Sequence, residues 1–207
     1  MADENSTSES EWLTTFQELA RRSSHEIRNA LNGVAVNLEV ARSRLERSEE
    51  RSDSPVSASV APFARSASEQ LEHLSGLTES FLALARTGTP AAMRLEAVVR
   101  NAARLADAIA RSEGRCVRLD GTGEETAHRV RGDLASWLVV RLLLNGLASG
   151  ESLAVGLEEG PRLFVRSESG AALAAPDHGL VQAAASFGVT LTYESGAWFA
   201  GFPPAAA

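Results

Sequence analysis

The chain has 207 residues, 44% of them hydrophobic, which suits one or two soluble folded domains. A formal charge of −7 argues against a nucleic-acid partner, and the single cysteine, Cys116, excludes an internal disulfide framework and a cysteine-based zinc site. All 20 basic side chains are arginine, so Schiff-base and phosphate-loop lysine chemistry are closed to it; no apolar run reaches the roughly 18–20 residues of a membrane span and the polar N-terminus is no signal peptide, which predicts a cytoplasmic protein with no membrane partner.

Residues 1–10 are polar and expected to be disordered. From residue 11 to about 50 there is no proline and one glycine, Gly33, while Leu13, Ala20, Ile27, Leu31, Val34, Leu38, Ala41 and Leu45 recur at three- and four-residue steps. That pattern predicts a long amphipathic helix with a heptad-like seam. The charged run 51–55 reads as a turn. A second helix follows, with Val60, Ala64, Ala67, Leu71, Leu74, Leu77, Phe81, Leu84 and Ala85 on its apolar side, and stops near Gly88 and Pro90. Two long helices joined by a short turn make an antiparallel hairpin, which by itself cannot cover both apolar stripes. Pairing of two hairpins into a four-helix bundle covers them, so residues 11–88 are expected to form a homodimer with two-fold symmetry. A bundle closed within one chain by later helices is the alternative.

Beyond Met93 the pattern changes. Residues 95–110 read as a helix, 116–119 as a short strand, and Gly121-Thr122-Gly123 as a turn. Residues 134–147 read as a strongly apolar helix with Asp133 as N-cap. Segments 153–157 and 163–165 form one hairpin, 180–187 a short helix, and 189–193 and 198–202 a second hairpin. The expected fold class is α+β: the helical hairpin, then over 91–203 a small α/β sandwich in which helices cover one face of a mixed sheet.

Within the first helix lies Ser24-His25-Glu26-Ile27-Arg28-Asn29-Ala30-Leu31-Asn32. At 100° per residue, Ile27 and Leu31 point into the seam, while His25, Glu26 and Asn29 fall within an arc of roughly 100°. A neutral imidazole is a nucleophile through the ring nitrogen that lacks the proton. A carboxylate beside it can accept the other N–H, fix the tautomer and support the charge that develops as the ring attacks phosphorus. Asn29 can hold a water or a phosphoryl oxygen at the same face. The plainer reading is an exposed histidine on a polar helix face. His73 reads as a surface residue, and His128 and His178 as loop residues. None has metal-ligand spacing, so no protein-held metal is expected.

The same run resembles the H-box of sensor histidine kinases, S-H-E-[LI]-R-[TN]-P-L, with Ala30 in place of the proline. The resemblance implies that His25 is phosphorylated, that Glu26 acts as base and that Asn29 assists phosphatase chemistry. Residues 138–147 resemble the N-box, N-L-L-x-N-A. Asn145 matches its second asparagine, a magnesium ligand in that family, and reads otherwise as a capping or surface residue near the helix end; Arg141 stands at the first and would repel the metal. Residues 163–170 occupy the place of the first glycine box, with Ser167, or else Glu168, at the adenine-binding aspartate. His178-Gly179-Leu180 resembles the end of the second glycine box, and too few residues remain for a nucleotide lid.

The chain as a whole is similar to bacterial histidine phosphotransferases built from a dimerising helical hairpin and a degenerate kinase-like ATP-binding domain. That resemblance implies a two-component phosphorelay, in which a phosphoryl group passes from one receiver-domain aspartate to His25 and on to another without ATP. It implies no cofactor on this chain, with Mg2+ carried by the receiver. Response-regulator receiver domains would dock beside His25 on Asn32, Val36 and Glu39, and an upstream hybrid histidine kinase is a further partner. An ATP-dependent histidine kinase with a divergent nucleotide site, and a non-enzymatic dimeric scaffold or inhibitor of a kinase or receiver, are the competing readings.

Overall fold

The computed structural model describes residues 2–49, 56–85, 92–122, 128–158 and 161–204. The chain is α+β, with a long N-terminal helical hairpin and a small mixed-sheet domain. Helix α1 spans Ala2–Glu49 and helix α2 spans Val56–Ala85. Residues 2–10, expected to be disordered, belong to α1. They hold no proline or glycine, and once a long helix is nucleated each added residue closes a further backbone bond. The turn at 51–55 and the stop at Gly88 and Pro90 lie outside the described residues.

The chain divides into two compact units, and the division cuts through both long helices. Ser23–Glu79 is one unit; Met1–Arg22 with Ser80–Ala207 is the other. Packing explains the inclusion of the helix ends in the second unit. Phe16 meets Phe81 with ring centroids 5.0 Å apart, Leu19 and Leu84 are buried, and Thr14 and Thr15 line a cavity with Trp137 and Leu180.

In the first unit the two helices run antiparallel, as three contacts spaced along them require. Gly33 lies against Gln70, Asn37 Nδ2 donates to Ser66 Oγ at 3.2 Å, and the Arg44 guanidinium sits 4.5 Å over the Phe63 ring. Gly33 leaves room for the end of the Gln70 side chain, which would have to shift to admit a larger residue. A Cβ there would stand 2.7 Å from Gln70 Oε1. Val34, Ala41, Ala67 and Leu77 are buried. The expected single seam is split, however: Leu31, Leu38 and Leu45 are 49%, 53% and 43% exposed, and Leu71 is 46% exposed.

In the second unit, strand β1 (Ala92–Arg94) leads into α3 (Leu95–Ser112), and β3 (Arg129–Arg131) leads into α4 (Gly132–Ala148). The two strands pair antiparallel, which pins the N-termini of both helices. Neither strand was expected, since three residues carry no readable periodicity. Direct entry from β3 also moves the start of α4: its N-cap is Arg131, and Asp133, the expected cap, lies in the first turn with its carboxylate 2.6 Å from the Arg131 guanidinium.

Strands β2 (Val117–Thr122), β4 (Leu153–Leu157), β5 (Arg162–Ser167), β6 (Thr190–Glu194) and β7 (Ala197–Gly201) form a sheet in the order β2-β4-β5-β7-β6. The β2–β4 pair is parallel, joined through α4, and the rest are antiparallel, so the sheet is mixed. Gly121 and Thr122 continue β2 where a turn was expected; Gly123 lies outside the described residues. Helices α3 and α4 pack on each other and on the sheet, and nearly all of α4 is buried. Helix α5 (His178–Ser186) packs against β6 and takes Asp177 as its cap, with Leu180 N–H donating to the Asp177 carboxylate at 2.8 Å. His178, expected in a loop, thus opens a helix. No helix among the described residues is long and apolar enough to cross a membrane.

Candidate functional site

Helix α1 is unbroken across residues 24–32. Ala30 keeps the backbone N–H that a proline would remove, so nothing interrupts the hydrogen-bond ladder beside His25. The His25 side chain is 71% exposed and that of Glu26 is 17% exposed. Two groups meet the ring at one atom: Asn29 Nδ2 lies 3.1 Å from His25 Nδ1, and Glu26 Oε1 lies 3.6 Å from the same nitrogen. His25, Glu26 and Asn29 are therefore brought together, with Asn29 nearer to the ring.

This geometry couples the ring tautomer to the orientation of the Asn29 amide. Donation by the Asn29 amide N–H requires a lone pair at Nδ1 and leaves the ring proton on Nε2. Turning that amide over exchanges Nδ2 for Oδ1, which then accepts the Nδ1–H and frees the Nε2 lone pair. The Glu26 carboxylate favours the second state, because it attracts a proton at Nδ1. A solvent-facing imidazole with one nitrogen held and the other free is a competent nucleophile towards phosphorus.

Asn32, Val36 and Glu39 lie within roughly 40° of His25 around the helix axis. All three are exposed, Val36 to 62%. Glu39 accepts from Arg42 Nη2 at 3.1 Å. They form a continuous open strip on the same side of the helix as the histidine.

Of the positions that resemble a nucleotide site, Arg141, Gly179 and Leu180 share one cavity, and the others do not line it. A cavity of about 230 Å³ is lined by Thr14, Thr15, Trp137, Arg141, Asp177 and Gly179, among others, but by neither Asn145 nor Ser167 nor Glu168. Ser167 is buried and its hydroxyl donates to Glu151 Oε2 at 3.0 Å. Glu168 accepts from Cys116 Sγ at 3.1 Å and from Arg118 Nε at 2.6 Å, bonds that hold its carboxyl below the ordinary range. The end of α5, where a phosphate could sit, is already occupied by the Asp177 carboxylate. Of these residues, Thr14, Thr15, Trp137 and Asp177 had no functional reading in the sequence; only the folded chain brings them together. His73 is exposed on α2 and His128 is half-buried just before β3. Among the described residues no three His, Cys, Asp or Glu side chains gather as metal ligands.

No family model matches the chain, and no curated protein matches it. Among solved structures it is similar to the cytoplasmic segment of histidine kinase QseC, at 22% identity over 73% of this chain and 96% of that one, with a TM-score of 0.44. It is also similar to full-length ShkA in complex with AMPPNP, at 18% identity over 92% of this chain and 47% of that one, with a TM-score of 0.39.

Proposed function

We propose that this chain is a histidine phosphotransferase of a two-component phosphorelay that acts through His25 and without ATP. One observation carries the reading: an exposed imidazole whose Nδ1 is met by both an amide and a carboxylate, on an open helix face. In the transfer, the free ring nitrogen forms an N–P bond while the P–O bond of a receiver's aspartyl phosphate breaks, and the aspartate carboxylate departs with the electron pair. Glu26 steadies the positive charge on the phosphorylated ring. Reversal onto a second receiver's aspartate completes the relay and returns neutral His25. Magnesium, held by the receiver, would offset the charge of the phosphoryl oxygens there. The test is to mix the protein with phosphorylated receivers and look for acid-labile label on His25.

The residues of the second unit do not fit a magnesium nucleotide. Arg141 stands where a metal ligand is needed, and a cation there repels Mg2+. Ser167 offers no carboxylate to an adenine, and Glu168 is engaged by Cys116 and Arg118. The cavity beside Arg141, about 230 Å³, is smaller than the roughly 300–1,000 Å³ of small-molecule pockets. Titration calorimetry with magnesium-ATP is therefore expected to give no heat of binding at low micromolar concentration. Saturable binding in that range, or autophosphorylation from labelled ATP, would move the assignment to a kinase.

The strip of Asn32, Val36 and Glu39 is the proposed receiver-docking surface. Charge reversal at Glu39 combined with Val36→Trp should slow transfer roughly tenfold or more through lost complementarity, while the mass in solution stays unchanged. Both side chains are exposed in the folded chain, so the fold should survive. Equal transfer rates for the variant and the wild type would remove this strip from the docking surface.

A further inference from the structure

Arg28 stands out among the arginines of α1. Arg21 and Arg22 both donate to Glu18, whose carboxyl they hold down to about 2. Arg42 is paired with Glu39, Arg44 lies over Phe63, and Arg47 bonds Ser43. Arg28 is exposed and has no hydrogen bond, ion pair or ring contact among the described residues. Its helical neighbours three and four residues away are Ser24, His25, Leu31 and Asn32, and none is acidic. On the helix surface such neighbours stand about 5–6 Å apart at Cβ. Arg28 therefore flanks His25 on one side, and Asn29 and Glu26 flank it on the other.

We propose that Arg28 is the phosphoryl-binding residue of this site. The inference rests on the phosphotransferase reading of His25 and adds the group that meets the transferred charge. Phosphoryl transfer spreads negative charge over three equatorial oxygens, and the phosphohistidine product bears up to two negative charges. A guanidinium presents two parallel N–H donors to two such oxygens. With no carboxylate to neutralise it, Arg28 offers its full charge to the group arriving at His25. Glu26 cannot serve this purpose, since its charge repels phosphate; the two residues divide the work, one on the ring and one on the phosphoryl group.

The test uses the full chain and potassium phosphoramidate, a donor that involves no partner protein. The imidazole nitrogen forms the N–P bond, the donor's P–N bond breaks, ammonia departs with the donor's protons, and the ring's surplus proton passes to water. Label at His25 is followed by 31P resonance. Arg28→Gln should take up phosphoryl roughly three- to tenfold more slowly, and Arg28→Lys should fall between it and the wild type. A structural role would not alter the titration of the product, but a direct one does. The phosphohistidine resonance should titrate about 0.2–0.7 pH units higher in Arg28→Gln, because the dianion has lost its cation. Equal rates and equal titration in Arg28→Gln and the wild type would overturn this inference alone. A wild-type protein that takes no label at His25 would overturn the phosphotransferase reading and this inference with it.

Discussion

A His25→Ala variant mixed with a phosphorylated receiver is expected to take up no acid-labile label, while its helical content and mass stay those of the wild type. The ring nitrogen is the atom that bonds phosphorus, and no neighbour supplies an equivalent nucleophile. The side chain is 71% exposed, so its removal leaves no cavity. Glu26 has a different part. It sits 3.6 Å from Nδ1, too far for a hydrogen bond but close enough to favour a proton there. Its replacement should slow transfer by about 10²–10⁴-fold, the usual span of acid–base assistance. Glu26→Gln is the cleaner variant, because the side chain is only 17% exposed and the amide preserves its shape. Asn29→Ala should change transfer to His25 least and hydrolysis of a receiver's phosphate most, since that reaction requires a placed water. The readout is label on this protein and inorganic phosphate released, measured on the same mixtures. Stable label on His25→Ala would overturn the assignment and direct attention to His73, exposed on α2.

Much of this site is legible in the sequence because it is local. Helical spacing fixes that residues 25, 26 and 29 lie near one another whatever the rest of the chain does. The choice of atom is not legible: that Asn29, at 3.1 Å, is nearer Nδ1 than Glu26, at 3.6 Å, depends on rotamers. The helices and the two hairpins of the sheet follow from apolar periodicity. What escapes is set by tertiary packing. Gly121 reads as a turn, yet β2 runs through it by shifting register against β4 between Leu119 and Thr122. The partner there is Gly156, where a Cβ would stand 1.6 Å from the Asp120 carbonyl oxygen, so the irregularity depends on a residue far along the chain. Asp133 reads as a cap because an acid precedes an apolar run, but the β1–β3 pair sets the start of α4 instead. The cavity beside Arg141 gathers side chains from α1, α4 and the approach to α5, and no local pattern announces it.

Light scattering at micromolar concentration is expected to give twice the chain mass for the wild type and a single chain for Leu38→Asp. The split seam is the reason. Leu31, Leu38 and Leu45 repeat every seven residues and stand 49%, 53% and 43% exposed, while Val34 and Ala41 are buried. A helix row with this repeat matches the packing seam of a helical bundle, and full burial of a leucine is worth roughly 1.5–3 kcal/mol. Leu71 on α2, 46% exposed, adds to the apolar surface of the same unit. A second copy is the proposed occupant, because an identical hairpin brings the same unsatisfied row and a two-fold axis covers both together. Aspartate at position 38 would place a carboxylate from each protomer in that interface, with no cation among its helical neighbours except Arg42. Arg42 is already shared between Glu39 and Glu46, so the new charge would stay poorly compensated. Because symmetry applies the burial penalty twice, the dimer should weaken by about two orders of magnitude or more. Leu38→Met, which keeps the volume, should leave the mass unchanged. The predicted monomer also separates dimerisation from chemistry: His25, Glu26 and Asn29 all lie on one α1, so labelling of Leu38→Asp by phosphoramidate should persist even where transfer from a receiver fails. A wild-type mass of one chain, or an unaltered dimer in Leu38→Asp, would count decisively against this interface.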